Sequence, residues 1–153
     1  MEVTIDILKE GFDEYNEKYF DSKLKKVKFG FIKKGFKGTI AQFEFRIDKN
    51  GYLRDTSIKI NKGIIWDEER LRRALLHEMV HLSLTQKYKK NKHHGLAFIR
   101  ECKRIEENYG VKIPHCWMKF EHVNKEDNIH INPLVLCYNI ASFIKFRIIQ
   151  KLI

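Results

Sequence analysis

The stretch Leu75-Leu76-His77-Glu78-Met79-Val80-His81 places two histidines and a glutamate inside an apolar run. Burying an unpartnered polar group costs about 2–7 kcal/mol, and a charged one more. A chain that keeps three titratable side chains there must supply them with something to bind. If the run is helical, His77 and His81 stand one turn apart on one face, roughly 6 Å along the axis, where both imidazoles reach a single ion. Zinc accepts neutral imidazoles, and a catalytic zinc takes three protein ligands and leaves its fourth position open to water. Glu78 follows the first ligand on a rotated face, which suits a general base beside that open position better than a ligand. The plainer alternative is a pair of core histidines hydrogen-bonded to backbone or carboxylate, and it demands separate partners for three neighbouring groups.

The surroundings make the run helical and central. Asp67, followed by Glu68 and Glu69, is suited to a helix start, because acids there satisfy free amides and oppose the positive end of the dipole. The helix is expected to run to about Lys87. Leu71, Ala74, Leu75, Leu76, Met79, Val80, Leu82 and Leu84 leave its middle little polar surface. A further helix is expected from about His94 to Tyr109, with Phe98, Cys102, Ile105 and Tyr109 on one stripe and Gly110 closing it.

That helix bears on the third ligand. The compact metzincin spacing would put a histidine six residues after His81, where Lys87 stands, so that family is excluded. Lys92-His93-His94-Gly95-Leu96-Ala97-Phe98 offers two histidines instead. His94, one turn before Phe98 on the inward stripe, is the leading candidate. His93 and Glu101, the latter two turns beyond His94, remain alternatives.

Upstream, Ile5, Leu8, Phe12, Tyr15 and Tyr19 recur at helical intervals between acids and lysines. Val27, Phe29 and Phe31, then Phe43, Phe45 and Ile47, then Ile58 and Ile60, alternate with polar residues or glycine as half-buried strands do. Asn50-Gly51 marks a tight turn between the last two, which are expected to form a hairpin, and Gly35 and Gly38 mark the other connection. The fold class read from this order is α+β, with a small antiparallel sheet of three strands as a meander, a central helix bearing the His-Glu-x-x-His motif and a following helix carrying the third ligand.

The whole chain of 153 residues, 43% hydrophobic and 33% charged, has neither a disordered nor a membrane-embedded composition. Its 30 basic residues against 20 acids give a net charge of +10, which favours polyanions such as nucleic acid as readily as it describes a solvated surface. Cys102, Cys116 and Cys137 are odd in number and widely spaced, so they indicate neither a disulfide framework nor a zinc ribbon. The first residues lack the basic start and apolar core of a secretory leader, and the expected location is the cytoplasm. The tail from Leu134 to Ile153 is apolar but broken by Asn139, Lys145 and Arg147, so a packed helix is expected rather than a membrane anchor. His115, Cys116, His122 and His130 are too irregular to suggest a second site.

The run Phe12-Asp13-Glu14-Tyr15-Asn16-Glu17-Lys18-Tyr19-Phe20, then Lys23-Leu24, strands, His77-Glu78-Met79-Val80-His81, and His94-Gly95 with Phe98, resembles the SprT-like, or Spartan, metalloprotease family. The resemblance covers about residues 8 to 118. It implies a zincin-like metalloprotease domain over residues 1–118, one zinc ion on His77, His81 and His94, and Glu78 as the catalytic base. Residues 119–153 are then a C-terminal extension with an apolar helix. Better-known members cleave proteins crosslinked to DNA, with DNA stimulating proteolysis. The longer members carry zinc ribbons or other DNA-binding modules, and this tail has no cysteine pair to build a ribbon.

The leading expectation is therefore hydrolysis of peptide bonds in a protein substrate, with DNA as a candidate partner through the basic surface. Lys23, Lys25, Lys26 and Lys28, and the run Lys87, Lys89, Lys90 and Lys92, carry that surface. The contrasting reading is a nucleic-acid-binding or assembly protein whose zinc is structural. Hydrolysis of a non-peptide amide is a third. The residue that stabilises the transition state, the substrate and the oligomeric state are not readable from the chain, although Tyr88, Lys92 and His93 lie near the motif.

Overall fold

The computed structural model describes residues 1–32, 39–90 and 93–114. Six elements follow in order: α1 Ile5–Phe20, β1 Lys28–Phe31, β2 Ala41–Ile47, β3 Leu53–Ile60, α2 Glu68–Tyr88 and α3 Leu96–Tyr109. The Thr4 hydroxyl accepts from the Ile7 amide at 3.2 Å, and the Asp67 carboxylate accepts from the Arg70 amide at 2.7 Å, so α1 and α2 each begin on a side-chain cap. All three helices end on a left-handed residue, Asp21, Lys89 or Gly110.

The α+β class stands, but the sheet is mixed and not a meander. Its order is β1-β3-β2, with β1 parallel to β3 and β2 antiparallel to it. The expected hairpin of the last two strands is present, turning at Gly51 with φ 78°. β3 takes the centre, and its Ile58 and Ile60 are both fully buried between the rows of its two neighbours and the helices. The register lines up Phe29, Ile58 and Phe43 in one row and Phe31, Ile60 and Ala41 in the next, all on the face toward the helices. The opposite face is polar, where Glu44 meets Lys59 and Ser57. β2 is thereby left as an outer strand.

α1 and α2 cover the apolar face. Phe12 meets Phe29 edge-on at 5.6 Å, and α1 crosses α2 so closely at Gly11 that a Cβ there would stand 3.3 Å from Leu75 Cδ2. Beyond α1 the chain is held by amide side chains. Asn16 bonds both the carbonyl and the amide of Leu24, at 3.1 and 3.0 Å, and so ties the connection after α1 back to that helix. Gln86 of α2 accepts from the Lys25 amide at 2.7 Å and donates to the Lys23 carbonyl at 3.3 Å. Arg104 of α3 donates to the Tyr19 carbonyl at 2.7 Å.

α3 starts later than expected. Gly95 is its N-cap, so His94 lies in the turn before the helix and not on it. A glycine N-cap supplies no side-chain bond, and the chain enters the helix in extended conformation at that residue. The boundary expected near residue 118, the tail helix, the scattered histidines and cysteine from His115 onward, Lys92, and the connection at Gly35 and Gly38 lie outside the described residues. Among the described residues no helix is long and apolar enough to cross a membrane.

Candidate metal centre

His77 and His81 project from the middle of α2, with ring centroids 5.0 Å apart. Leu75, Leu76, Met79, Val80 and Leu82 bury the same stretch, and His77 itself is buried. His94 comes to meet them from the turn ahead of α3. Its Nε2 lies 3.0 Å from Nε2 of His77 and 3.2 Å from Nε2 of His81. Each of the three offers a ligand atom within 4.8 Å of the others, and among the described residues no other trio of histidine, cysteine or carboxylate groups does so.

The donor set fits a metal ion. Four-coordinate zinc with nitrogen at about 2.0–2.1 Å holds its ligand atoms about 3.3 Å apart, close to the separations found. Hydrogen bonding alone accounts for them poorly. His77 Nδ1 lies 2.8 Å from the Pro114 carbonyl oxygen, which can only accept, so in a neutral ring the proton is on Nδ1 and Nε2 presents its lone pair. A single proton on His94 Nε2 cannot serve both neighbouring nitrogens in a linear bond. Burial, reinforced by His94 and His93, pushes the His81 imidazolium pKa down to about 3, so this ring stays neutral across the ordinary pH range.

Phe98 forms the floor. Its ring centroid stands 4.9, 4.6 and 4.8 Å from those of His77, His81 and His94. The inward stripe of α3 therefore ends under the site, with Cys102 and Ile105 continuing it into the core.

Glu78, only 5% exposed, lies on the side of α2 turned to β2. Burial raises its carboxyl to about 8, offset in part by the backbone amide of Phe43. A dication beside it would draw the carboxyl back toward its charged form. The Phe43 backbone faces this way for a reason of register. Asn61 donates to the Ile40 carbonyl at 2.9 Å, and in an antiparallel ladder such bonded pairs alternate. Phe43, opposite Ile58, falls in a non-bonded pair and turns its polar groups to the outer edge of the sheet.

The structure separates the candidates for the third position. His93 is exposed, with φ 42°, and is outside the trio. The Glu101 carboxylate is engaged by Arg104 at 2.8 Å. His94 is the one brought to His77 and His81. Two contributors escaped the sequence: the Pro114 carbonyl and the Phe43 amide are backbone groups, to which residue type gives no clue. Phe98 was visible as a core position but not as a floor.

A model of the SprT-like family matches residues 8–122 of the chain. No curated protein matches it.

Proposed function

Because the chain belongs to the SprT-like family and so carries a metalloprotease-type domain, we propose that it is a zinc-dependent peptidase of zincin-like architecture. His77, His81 and His94 hold the one ion and Glu78 is the catalytic base. The observation that carries the reading is the convergence of three imidazole nitrogens at 3.0 and 3.2 Å, with a buried carboxyl on the helix that bears two of them. Zinc in that position supplies Lewis acidity to a water and to the scissile carbonyl.

The remaining work falls to the chain. A carboxyl oxygen of Glu78 takes the proton of the attacking water and returns it to the leaving amine as the peptide C–N bond breaks. A dication held by the three imidazoles would draw this buried carboxyl to its charged form, the state that accepts a proton. The outer edge of β2 runs beside Glu78, so an extended peptide can add to the sheet there by main-chain hydrogen bonds, with little demand on its sequence.

The test compares the parent with Glu78→Gln for zinc content and for digestion of casein. Zinc is expected to be retained and hydrolysis to fall by at least about 100-fold, the lower range for a positioned acid or base. Equal digestion by both proteins removes Glu78 from the mechanism. Zinc without hydrolysis in the parent favours a structural ion in a nucleic-acid-binding or assembly protein.

DNA-associated proteins are the substrate class we favour. The Gln86 clamp sets the loop of Lys23, Lys25 and Lys26 against the end of α2, where Lys87, Lys89 and Lys90 follow, and all six are exposed. Asp21 offsets one of them by pairing with Lys23 at 2.9 Å. Tyr88, 40% exposed, stands seven residues after His81 and so nearly on its face of the helix. Single-stranded DNA is expected to bind at low salt, with log affinity falling by about 0.7 per phosphate contact for each tenfold rise in salt. Absence of binding at low ionic strength removes the DNA partner and leaves the peptidase proposal intact.

A further inference from the structure

α3 ends at Gly110, whose φ of 69° turns the chain back along the domain. The next residues alternate as an extended segment does: Val111 is buried, Lys112 exposed and Ile113 buried again. Val111 and Ile113 lie in the same apolar cluster as Leu76, Met79, Val80 and Phe98, the last of which lies against all three histidine rings. Pro114 follows. Its ring biases Ile113 toward extended conformations and removes an amide that would otherwise need a partner. The carbonyl it presents is the acceptor 2.8 Å from His77 Nδ1.

We infer that Val111–Pro114 is a positioning element of the metal centre: the Pro114 carbonyl selects the His77 tautomer that binds metal, and Ile113 holds that carbonyl in place. A neutral imidazole carries one proton. Held on Nδ1 by an oxygen that can only accept, that proton leaves Nε2 bare and aimed at His81 and His94. Without the carbonyl, the ring can turn or protonate Nε2, and each such state must be undone before metal binds. Outer partners of this kind typically change metal affinity by about 10- to 100-fold.

The inference rests on the proposed metal centre, but its first observable belongs to the metal-free full-length chain. A long-range proton–nitrogen spectrum at neutral pH is expected to show His77 protonated on Nδ1 and bare on Nε2. The second observable is zinc affinity, read by competition with a chromogenic chelator, in Ile113→Ala and in Leu24→Ala. Leu24 is buried in the same cluster but far along the chain from the His77 contact. Ile113→Ala is expected to weaken zinc binding about 10-fold or more, and Leu24→Ala to lower folding stability while leaving affinity near the parent's. Ile113→Val, with a smaller loss in the same direction, replaces Ile113→Ala if that variant does not fold. A His77 protonated on Nε2, or equal affinities in the Ile113 and Leu24 variants, overturns the inference. A parent unable to bind zinc overturns the proposed function instead, and the His77 tautomer remains readable in that case.

Discussion

His77 and His81 reach the centre from the middle of a 21-residue helix, whereas His94 reaches it from a turn, and the Pro114 carbonyl that meets His77 comes from an extended segment beyond the next helix. The first pair is spaced by helix geometry itself, and ten other buried residues of α2 fix the helix that carries it. The second pair is placed by whatever holds the connections. That placement falls to Phe98 beneath His94 and to Ile113 beside Pro114, both buried. A site so assembled should respond unequally to damage on its two sides.

The largest effect is expected from removing the proposed ligands. His94→Ala leaves two imidazoles preset on one helix turn, while His81→Ala leaves His77 and His94 on separate elements. Both variants should lose more zinc affinity than the about 100-fold seen when outer partners are removed, and His81→Ala should lose the more of the two. Chelator competition orders them. The reverse order would mean that the turn, and not the helix, presets the site.

A second contrast lies within α2, in the metal-free chain. His81 has its pKa lowered from 6.5 to about 3, so between those values the unfolded chain binds a proton that the folded one refuses, and acidification through that window destabilises the fold. Glu78 has its pKa raised from 4.5 to about 8, so between those values the folded chain keeps a proton that the unfolded one has released, and raising the pH through that window destabilises the fold. The two slopes oppose each other between pH 4.5 and 6.5. Unfolding free energies of the metal-free protein, from urea titrations, should be highest there and decline on both sides, by up to about 1.4 kcal/mol per pH unit for each group. Glu78→Gln should abolish the alkaline decline and keep the acid one. An alkaline decline that survives Glu78→Gln would assign it to another group.

The same divide governs how much could be read from residues alone. The helix-borne half was legible: the spacing of His77, Glu78 and His81 is a local property, and Asp67 capped the helix where its acids suggested. His94 was legible as a residue but not as a location, because the stripe beginning at Phe98 extends back over it and only Gly95 stops the helix short. Strand positions followed from alternation, but the sheet order did not. Alternation says which face of a strand is buried, not which neighbour covers its edges, so the parallel pairing that sets Phe29 beside Ile58 and Phe31 beside Ile60 is a long-range feature that alternation does not encode. The backbone groups of Phe43 and Pro114 depend on register and on chain reversal, and residue identity carries neither.

The smallest effect tests whether the helix-borne half is insulated from its own ends. α2 terminates at Lys89 with φ 55°, whereas α3 terminates at Gly110 with φ 69°. A left-handed conformation costs an L-residue about 1–2 kcal/mol, and glycine escapes that cost but loses about 0.5–1 kcal/mol more backbone freedom on folding. Lys89→Gly should therefore stabilise the chain by roughly 0.5–1 kcal/mol, raising its melting temperature by about 2–4 °C for a domain of this size. Lys89 is two turns from His81, beyond the buried Leu82, Leu84 and Thr85, so zinc affinity should not change. The variant also removes one cation from the lysine surface, and if Lys89 contacts a phosphate the salt dependence of DNA binding should fall by about 0.7. Stabilisation accompanied by altered zinc affinity would show that α2 transmits strain from its end to its ligands, and the helix would then be no more independent a platform than the turn that carries His94.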